Sequence, residues 1–85
     1  MIEFNITMGR NLRAERARLG FSLRGVAEMT GYEFKASVLG AYERGERAIT
    51  VVRLARLCRI YGIHIHKVIP REVPMYGTVV GPFYP

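Results

Sequence analysis

The sequence predicts an all-helical domain, because five short segments with the apolar spacing of helices follow one another with tight connections. Glycine or proline follows each segment, and both residue types commonly end helices. Apolar residues make up 49% of the 85 residues, which is enough for one modest core. We therefore expect a compact five-helix domain over residues 1–72 and a non-helical tail over residues 73–85.

The first predicted helix carries a charge on its inward side. After a short extended start, Thr7 is expected to cap a helix that runs to about Leu19. Its apolar stripe contains Met8 and Leu12, and Arg16 falls on the same stripe, one helical turn later. A charged side chain in that position needs a buried partner or must extend to the surface.

The other predicted helices are short. Ser22 is a suitable N-cap for the second helix and Thr50 for the fourth. The fourth helix also carries a stripe of arginines, Arg53, Arg56 and Arg59, which we expect to be solvated. The predicted bounds of the second to fifth helices are Leu23–Thr30, Ala36–Glu43, Val51–Tyr61 and His64–Ile69.

The third predicted helix has one apolar side, with Val38, Leu39 and Tyr42, and one side with little bulk. Such a helix can push its backbone into a narrow space, and the DNA major groove is wide enough for one helix. A glycine inside this helix is explained either by close approach to DNA or by packing against another helix. The candidates for reading base edges are Lys35, Ala36, Ser37, Gly40, Ala41 and Arg44.

The charge balance favours an anionic partner. The chain has 13 basic and 7 acidic residues, a net charge of +6 and a pI near 10.1. Eleven of the basic residues are arginine, which favours bidentate contacts with phosphates and guanine edges. The N-terminus of a helix also attracts phosphate. The candidates for phosphate contacts are Ser22, Arg24, Arg47, Arg13 and Arg10, and the alternative is a basic surface that is merely solvated.

The combined spacing of these features is similar to that of a known family. The matching residues are Leu12 and Arg13, 19–23, Val26 and Ala27, Gly31, 42–47 and 54–62. From about residue 8 to residue 69, the chain resembles the Cro/C1-type (XRE) helix-turn-helix domain of phage repressors and many bacterial regulators.

The resemblance implies a lambda-repressor-like fold and a transcriptional regulator, either a repressor or a Cro-like protein, that binds double-stranded DNA sequence-specifically. The helix Ala36–Glu43 would enter the major groove, and a homodimer would bind a two-fold-related operator. The resemblance also implies a buried structural ion pair between Arg16 and Glu43. Its role would be to fix the third helix and not to contact DNA.

The chain departs from the family pattern in the turn before the third helix. This turn is about two residues longer than the family norm, and Tyr32, Glu33 and Phe34 are expected to bulge there. We also expect no second domain that could dimerise or bind a ligand. We therefore expect it to dimerise through its own helices and tail, or to act through a protein partner.

The tail Val73–Pro85 has no charged side chain and is rich in apolar and aromatic residues. It either packs against its own domain or a second subunit, or is disordered. One alternative function follows, in which the fold is an antitoxin or adaptor that binds a protein partner through the tail. Another is a nucleoid protein that binds DNA without sequence preference.

The sequence predicts neither catalysis nor a cofactor. No catalytic triad, paired carboxylates or glycine-rich phosphate loop stands out. His64 and His66 lack a third ligand, and Cys58 falls on the apolar face of the fourth helix, so we expect no metal site. The single cysteine, the absence of a signal peptide and the absence of a membrane-spanning segment favour a cytoplasmic protein, bacterial or phage-encoded, that is nucleoid-associated when bound.

Overall fold

Four α-helices and one short 3-10 turn form the part of the chain, residues 2–71, that the computed structural model describes. The helices are α1 (Ile2–Arg18), α2 (Leu23–Met29), α3 (Ala36–Glu43) and α4 (Val51–Tyr61), and the 3-10 turn is Ile65–Lys67. No strand occurs within residues 2–71, so the all-helical prediction is confirmed for them. The predicted domain boundary after Glu72 and the tail Val73–Pro85 lie outside the described residues.

Helix α1 begins at Ile2, so the expectation of an extended start with Thr7 as the cap is wrong. Thr7 is exposed in the middle of the helix. The apolar stripe starts one turn earlier than expected, because Phe4 packs on the core below Met8. Ile6 also lies against the loop after α3. Tertiary packing of this first part of α1 therefore outweighs the preference of threonine for a cap.

The predicted fifth helix is only the three-residue 3-10 turn Ile65–Lys67, so the count of five helices is wrong for the described residues. The segment lies between Gly62, which has a left-handed φ of +70°, and Pro70, which has no backbone N–H to continue a helix. The Asn11 side-chain amide of α1 donates a hydrogen bond of 2.9 Å to the carbonyl oxygen of Val68. That bond and the complete burial of Val68 hold this segment against α1.

Side chains cap two of the helices. The Ser22 hydroxyl accepts a hydrogen bond of 2.9 Å from the backbone N–H of Gly25 at the start of α2. The Thr50 hydroxyl accepts one of 3.2 Å from the backbone N–H of Arg53 at the start of α4. Each cap satisfies one of the free N–H groups at a helix start.

The core lies where all four helices and the C-terminal turn meet. Its fully buried side chains are Leu12, Val26, Phe34, Leu39, Leu57 and Val68. Cys58 is buried in the same cluster, and burial raises the pKa of its thiol. A buried thiol with a raised pKa is a poor nucleophile, so Cys58 serves packing. None of the helices in residues 2–71 is long and apolar enough to cross a lipid bilayer.

Helices α1 and α3 approach each other closely at Gly9 of α1, which is buried against the end of α3. A Cβ atom at Gly9 would overlap the carbonyl oxygens of Tyr42 and Glu43. Immediately beyond, a Cβ atom on Gly45 would lie 2.7 Å from Ile6 Cγ1. The backbones of α1 and α3 thus approach each other at a distance that only glycine permits.

We predict that Gly9→Ala destabilises the domain by about 1–3 kcal/mol, because the new methyl group meets backbone atoms that cannot move aside. Gly40→Ala is the matched control. A Cβ atom there would meet the flexible end of Arg44 at 2.9 Å, and a helical alanine is favoured over glycine. Urea unfolding followed by circular dichroism should show a loss for the first variant and none for the second. Equal stability of both variants would contradict the close approach at Gly9.

Candidate functional site

Helix α3 divides its residues between the core and the surface. Leu39 and Tyr42 are buried in the core, with 1% and 5% of their surface exposed. Ser37 is exposed, and so is Lys35 at the N-cap. Ala36 and Ala41 are partly exposed, so small and polar side chains cover the outer surface of the helix.

The structure does not place Gly40 with Ser37 on the exposed side. Gly40 is buried, and a Cβ atom there would lie 3.5 Å from Leu23 Cδ1 of α2 and 2.9 Å from Arg44 Nη1. The flexible Arg44 side chain therefore covers this glycine, and Leu23 of α2 lies at ordinary van der Waals distance. A position covered in this way is not available to a base edge in the free protein.

Two of the candidate arginines form exposed ion pairs. Arg24 Nε lies 3.4 Å from Glu28 Oε2, and Arg44 Nε lies 3.1 Å from Glu46 Oε2. Pairs of this kind contribute about 0–1 kcal/mol, so either arginine can exchange its partner for a phosphate at little cost.

The other candidate cations are exposed without such partners. Within residues 2–71, no acidic side chain lies within 4.0 Å of Arg10, Arg13, Lys35 or Arg47. Ser22 is exposed as well, and its oxygen accepts the capping bond while its O–H can still donate. Arg13 lines a shallow pocket with Leu23 at the start of α2 and with Arg44 after α3. Lys35 and Arg47 line a groove at the N-terminal end of α3.

Arg16 of α1 and Glu43 of α3 form a bidentate ion pair. Arg16 Nε donates to Glu43 Oε2 at 2.7 Å, and Arg16 Nη2 donates to Glu43 Oε1 at 2.9 Å. The two side chains are 14% and 7% exposed. Arg16 Nη1 donates a third bond, of 2.8 Å, to the carbonyl oxygen of Phe21. One guanidinium group therefore ties together α1, α3 and the loop before α2.

The surroundings of this pair favour its charged form. The hydrogen bond to Glu43 raises the pKa of Arg16, so the guanidinium keeps its charge. Burial, together with the nearby Glu43 carboxylate, raises the pKa of Tyr61 to about 12. Tyr61 therefore adds no charge beside the pair near neutral pH.

The turn between α2 and α3 does not bulge as expected. Phe34 is completely buried, so the part of the expectation that concerns Phe34 is wrong. Thr30 shapes the turn, because its hydroxyl donates to the carbonyl oxygen of Ala27 at 3.0 Å and accepts from the backbone N–H of Phe34 at 3.4 Å. The longer turn thus inserts an aromatic side chain into the core, while Tyr32 and Glu33 stay exposed.

Two arginines of α4 hold this turn, although the sequence pattern indicated only a solvated stripe. The Arg53 guanidinium lies over the Phe34 ring at 4.4 Å from its centroid and donates from Nε to Tyr42 Oη at 3.0 Å. Arg56 Nε donates to Glu33 Oε2 at 2.7 Å, and this bond lowers the pKa of Glu33. Arg59 is exposed. Helix spacing alone could not reveal these contacts, because they join segments about 20 residues apart in the chain.

A basic groove lies between the turn and the loop after α3. Its lining residues are Tyr32, Glu33, Lys35, Val38, Tyr42, Arg47, Ala48, Thr50 and Arg53. Three of these are cations and one is an anion, and the anion is engaged by Arg56 from outside the groove. The groove adjoins the N-terminal end of α3.

The histidines that could indicate a metal site belong to the 3-10 turn near the C-terminal end of the described residues, with His64 as its N-cap and His66 inside it. His64 and His66 stack on each other with their ring centroids 5.3 Å apart. Within residues 2–71, no group of three or more potential metal-ligating side chains comes together.

Two helices joined by a structured turn, with the second helix half in the core and half exposed, define a helix-turn-helix domain. The profile of the helix-turn-helix domain family matches residues 7–67, and the chain belongs to this family.

Two solved structures are similar to this chain over nearly their entire length. The crystal structure of the DNA-binding domain of BldD has 44% sequence identity and a TM-score of 0.80, and the alignment covers 82% of this chain and 99% of that one. The S. venezulae BldD DNA-binding domain has 46% identity and a TM-score of 0.77, with 80% and 99% covered. A comparison with curated proteins gives no match.

We predict that Glu43→Ala destabilises the domain by about 3–5 kcal/mol, because it leaves the guanidinium of Arg16 without its carboxylate partner in a largely buried place. Arg16→Met should cost less, since an apolar stem of similar length is kept, although Glu43 then lacks its partner. Glu28→Ala removes an exposed pair and is the control, with an expected change below about 1 kcal/mol. Thermal unfolding of the three variants would measure this order. Melting of Glu43→Ala within a degree of the parent would refute the structural role of the pair.

Proposed function

We propose that the chain is a transcriptional regulator that binds double-stranded DNA sequence-specifically, with α3 in the major groove. The observation that carries this proposal is the exposed side of α3, which is narrow and is surrounded by exposed cations. The major groove is about 12 Å wide and admits a helix about 10–12 Å in diameter, and short outer side chains let the helix backbone come closer to the base edges. The likeness to two solved structures of the BldD DNA-binding domain supports the same reading.

The side chains fall into two groups by what they can contact. Lys35, Ser37 and Arg44 can donate hydrogen bonds to base edges, and the Ala36 and Ala41 methyl groups can meet thymine methyl groups. The candidates for phosphate contacts are Ser22, Arg24, Arg47, Arg13 and Arg10. Because the base-reading group is small, part of the specificity would come from the shape and deformability of the DNA.

The Arg16–Glu43 pair has a structural role in this mechanism. It holds the C-terminal end of α3 against α1 and keeps both charged groups away from solvent. Gly40 is set apart from the base-reading group, because the Arg44 side chain covers it in the free protein. The base-reading set is thereby reduced to Lys35, Ala36, Ser37, Ala41 and Arg44.

The regulator would act as a homodimer on an operator with two related half-sites, as a repressor or a Cro-like protein. Two copies of α3 related by a two-fold axis would reach major grooves about 34–36 Å apart, one helical turn of DNA. We assign the dimer contact to the uncharged, aromatic-rich tail Val73–Pro85, on the evidence of its composition.

The decisive experiment is the selection of bound duplexes from a random pool, followed by affinity measurements on selected and scrambled duplexes. A motif with two half-sites about 10 base pairs apart would support the proposal, together with an affinity for the selected duplex that exceeds that for scrambled duplex by 10³ or more. Equal affinities would favour a non-specific nucleoid protein. Co-purification of a stoichiometric protein partner, lost with the tail, would favour an antitoxin or adaptor.

We predict that Arg44→Ala and Arg47→Ala each reduce the slope of log affinity against log salt concentration by about 1, because each removes a cation that displaces a counterion from DNA. Arg59→Ala removes an equally exposed arginine of α4 outside the proposed contact set and should leave the slope unchanged. Fluorescence anisotropy of a labelled duplex at salt concentrations from about 50 to about 200 mM would measure the slope. If both test variants show the same salt dependence as the parent, neither arginine contacts DNA.

We predict that ending the chain after Glu72 leaves the helical circular dichroism signal and the melting temperature nearly unchanged but lowers the dimer fraction. Affinity for a duplex with two half-sites should fall more than affinity for a single half-site, since the two domains then bind independently. Sedimentation of the full and shortened chains over a range of concentrations would decide the point. Identical masses at every concentration would show that the tail is not the dimer contact.

A further inference from the structure

Tyr32 has a backbone conformation that its residue type disfavours. It is the one non-glycine residue with positive φ in residues 2–71, at +65°, and it follows Gly31 at +63°. Left-handed conformations are costly for residues with a bulky side chain. The turn keeps this conformation through hydrogen bonds of 2.8 Å from Tyr32 N to Ala27 O and 3.2 Å from Glu33 N to Thr30 O.

Burial of the Tyr32 side chain in the core does not compensate for this unfavourable backbone conformation. It is 62% exposed, although the next aromatic residue, Phe34, is completely buried. Asparagine or glycine would adopt this backbone conformation more easily. A tyrosine at such a position therefore points to a function of its side chain more strongly than an exposed tyrosine on a regular helix does.

The position of Tyr32 connects it to the groove described above. Tyr32 lines the groove beside the cations Lys35 and Arg47, at the N-terminal end of α3. In helix-turn-helix proteins the N-terminal residues of the recognition helix contact base edges and the preceding helix crosses the DNA backbone, so the turn between the two helices lies close to the phosphates. A phenol O–H is a hydrogen-bond donor of the kind that contacts DNA phosphates.

The turn that carries Tyr32 is also fixed from behind. Glu33 is bound by Arg56, and Phe34 is buried beneath Arg53. The backbone on the C-terminal side of Tyr32 is therefore anchored to α4. A donor on such an anchored turn binds with a smaller loss of conformational entropy than one on a free loop.

We propose that Tyr32 is a DNA-contact residue whose hydroxyl donates a hydrogen bond to a backbone phosphate next to the N-terminal end of α3, between Lys35 and Arg47. This inference rests on the proposed DNA-binding function and adds to it a neutral contact from the turn. The proposal combines the strained backbone of Tyr32 with its place in the lining of the groove.

The test compares Tyr32→Phe and Tyr32→Asn with the full-length parent on the duplex selected above. Tyr32→Phe keeps the ring and the backbone but loses the donor, and should weaken binding about tenfold, as expected for one hydrogen bond to a charged group. Its salt slope should equal that of the parent, because no cation is lost. Arg47→Ala, with its reduced slope, is the matched control for a charged contact.

Tyr32→Asn separates strain from binding. Asparagine accepts a positive φ more readily, so this variant should melt a few degrees higher than the parent while binding more weakly. Parental affinity in both variants would overturn the assignment of Tyr32 and leave the proposed function intact. A parent chain that binds no duplex of the pool would overturn both.

Discussion

The orientation of α3 depends on its contact with α1, because α1 holds the end of α3 by both backbone and side chain. Gly9 lets the two backbones meet at the carbonyl oxygens of Tyr42 and Glu43. Arg16 then binds Glu43 with two parallel hydrogen bonds whose geometry admits little rotation. A buried pair contributes little net stability compared with apolar residues, so its value here is that it selects a single orientation of the helix.

The opposite end of α3 is fixed by different chemistry. The turn before it places Phe34 in the core and engages α4 through Arg53 and Arg56. These contacts are partly exposed, and the Glu33–Arg56 pair alone adds little to stability. Their combination with a completely buried ring nevertheless locates the start of α3. With both ends fixed, the exposed side between them presents its groups without rearrangement, which reduces the cost of binding.

The sequence predicted the helical class, the bounds of α3 and α4, and the caps at Ser22 and Thr50, because these depend on local spacing and local hydrogen bonds. The prediction failed where contacts between segments that are distant in the chain determine the local structure. The start of α1 depends on packing against the loop at Gly45, and the C-terminal turn depends on the Asn11 amide. The spacing Phe4, Met8 and Leu12 could have revealed the longer α1, since it continues the stripe by one turn.

In the candidate site, too, the sequence predicted the features that depend on local pattern and missed those that depend on other helices. The residue types around α3 could be read from composition and periodicity, and the cations there are exposed. The burial of Gly40 and the engagement of Arg53 could not be read from them, because each depends on a partner in another helix. The sequence does not show whether a glycine within a helix lies on its buried side or on its exposed side. An arginine three residues from the next gives the same pattern whether it is solvated or bound to a turn.

The division of α3 between core and surface has a consequence for how such a domain can diverge. Leu39, Tyr42 and Glu43 hold the helix in place, whereas Lys35 and Ser37 contribute little to the core. Under the proposed function, changes at the second group would leave the fold intact, so gene duplication followed by single substitutions would yield paralogues that bind different DNA sites. The ancestral scaffold would persist while its regulatory targets drift apart.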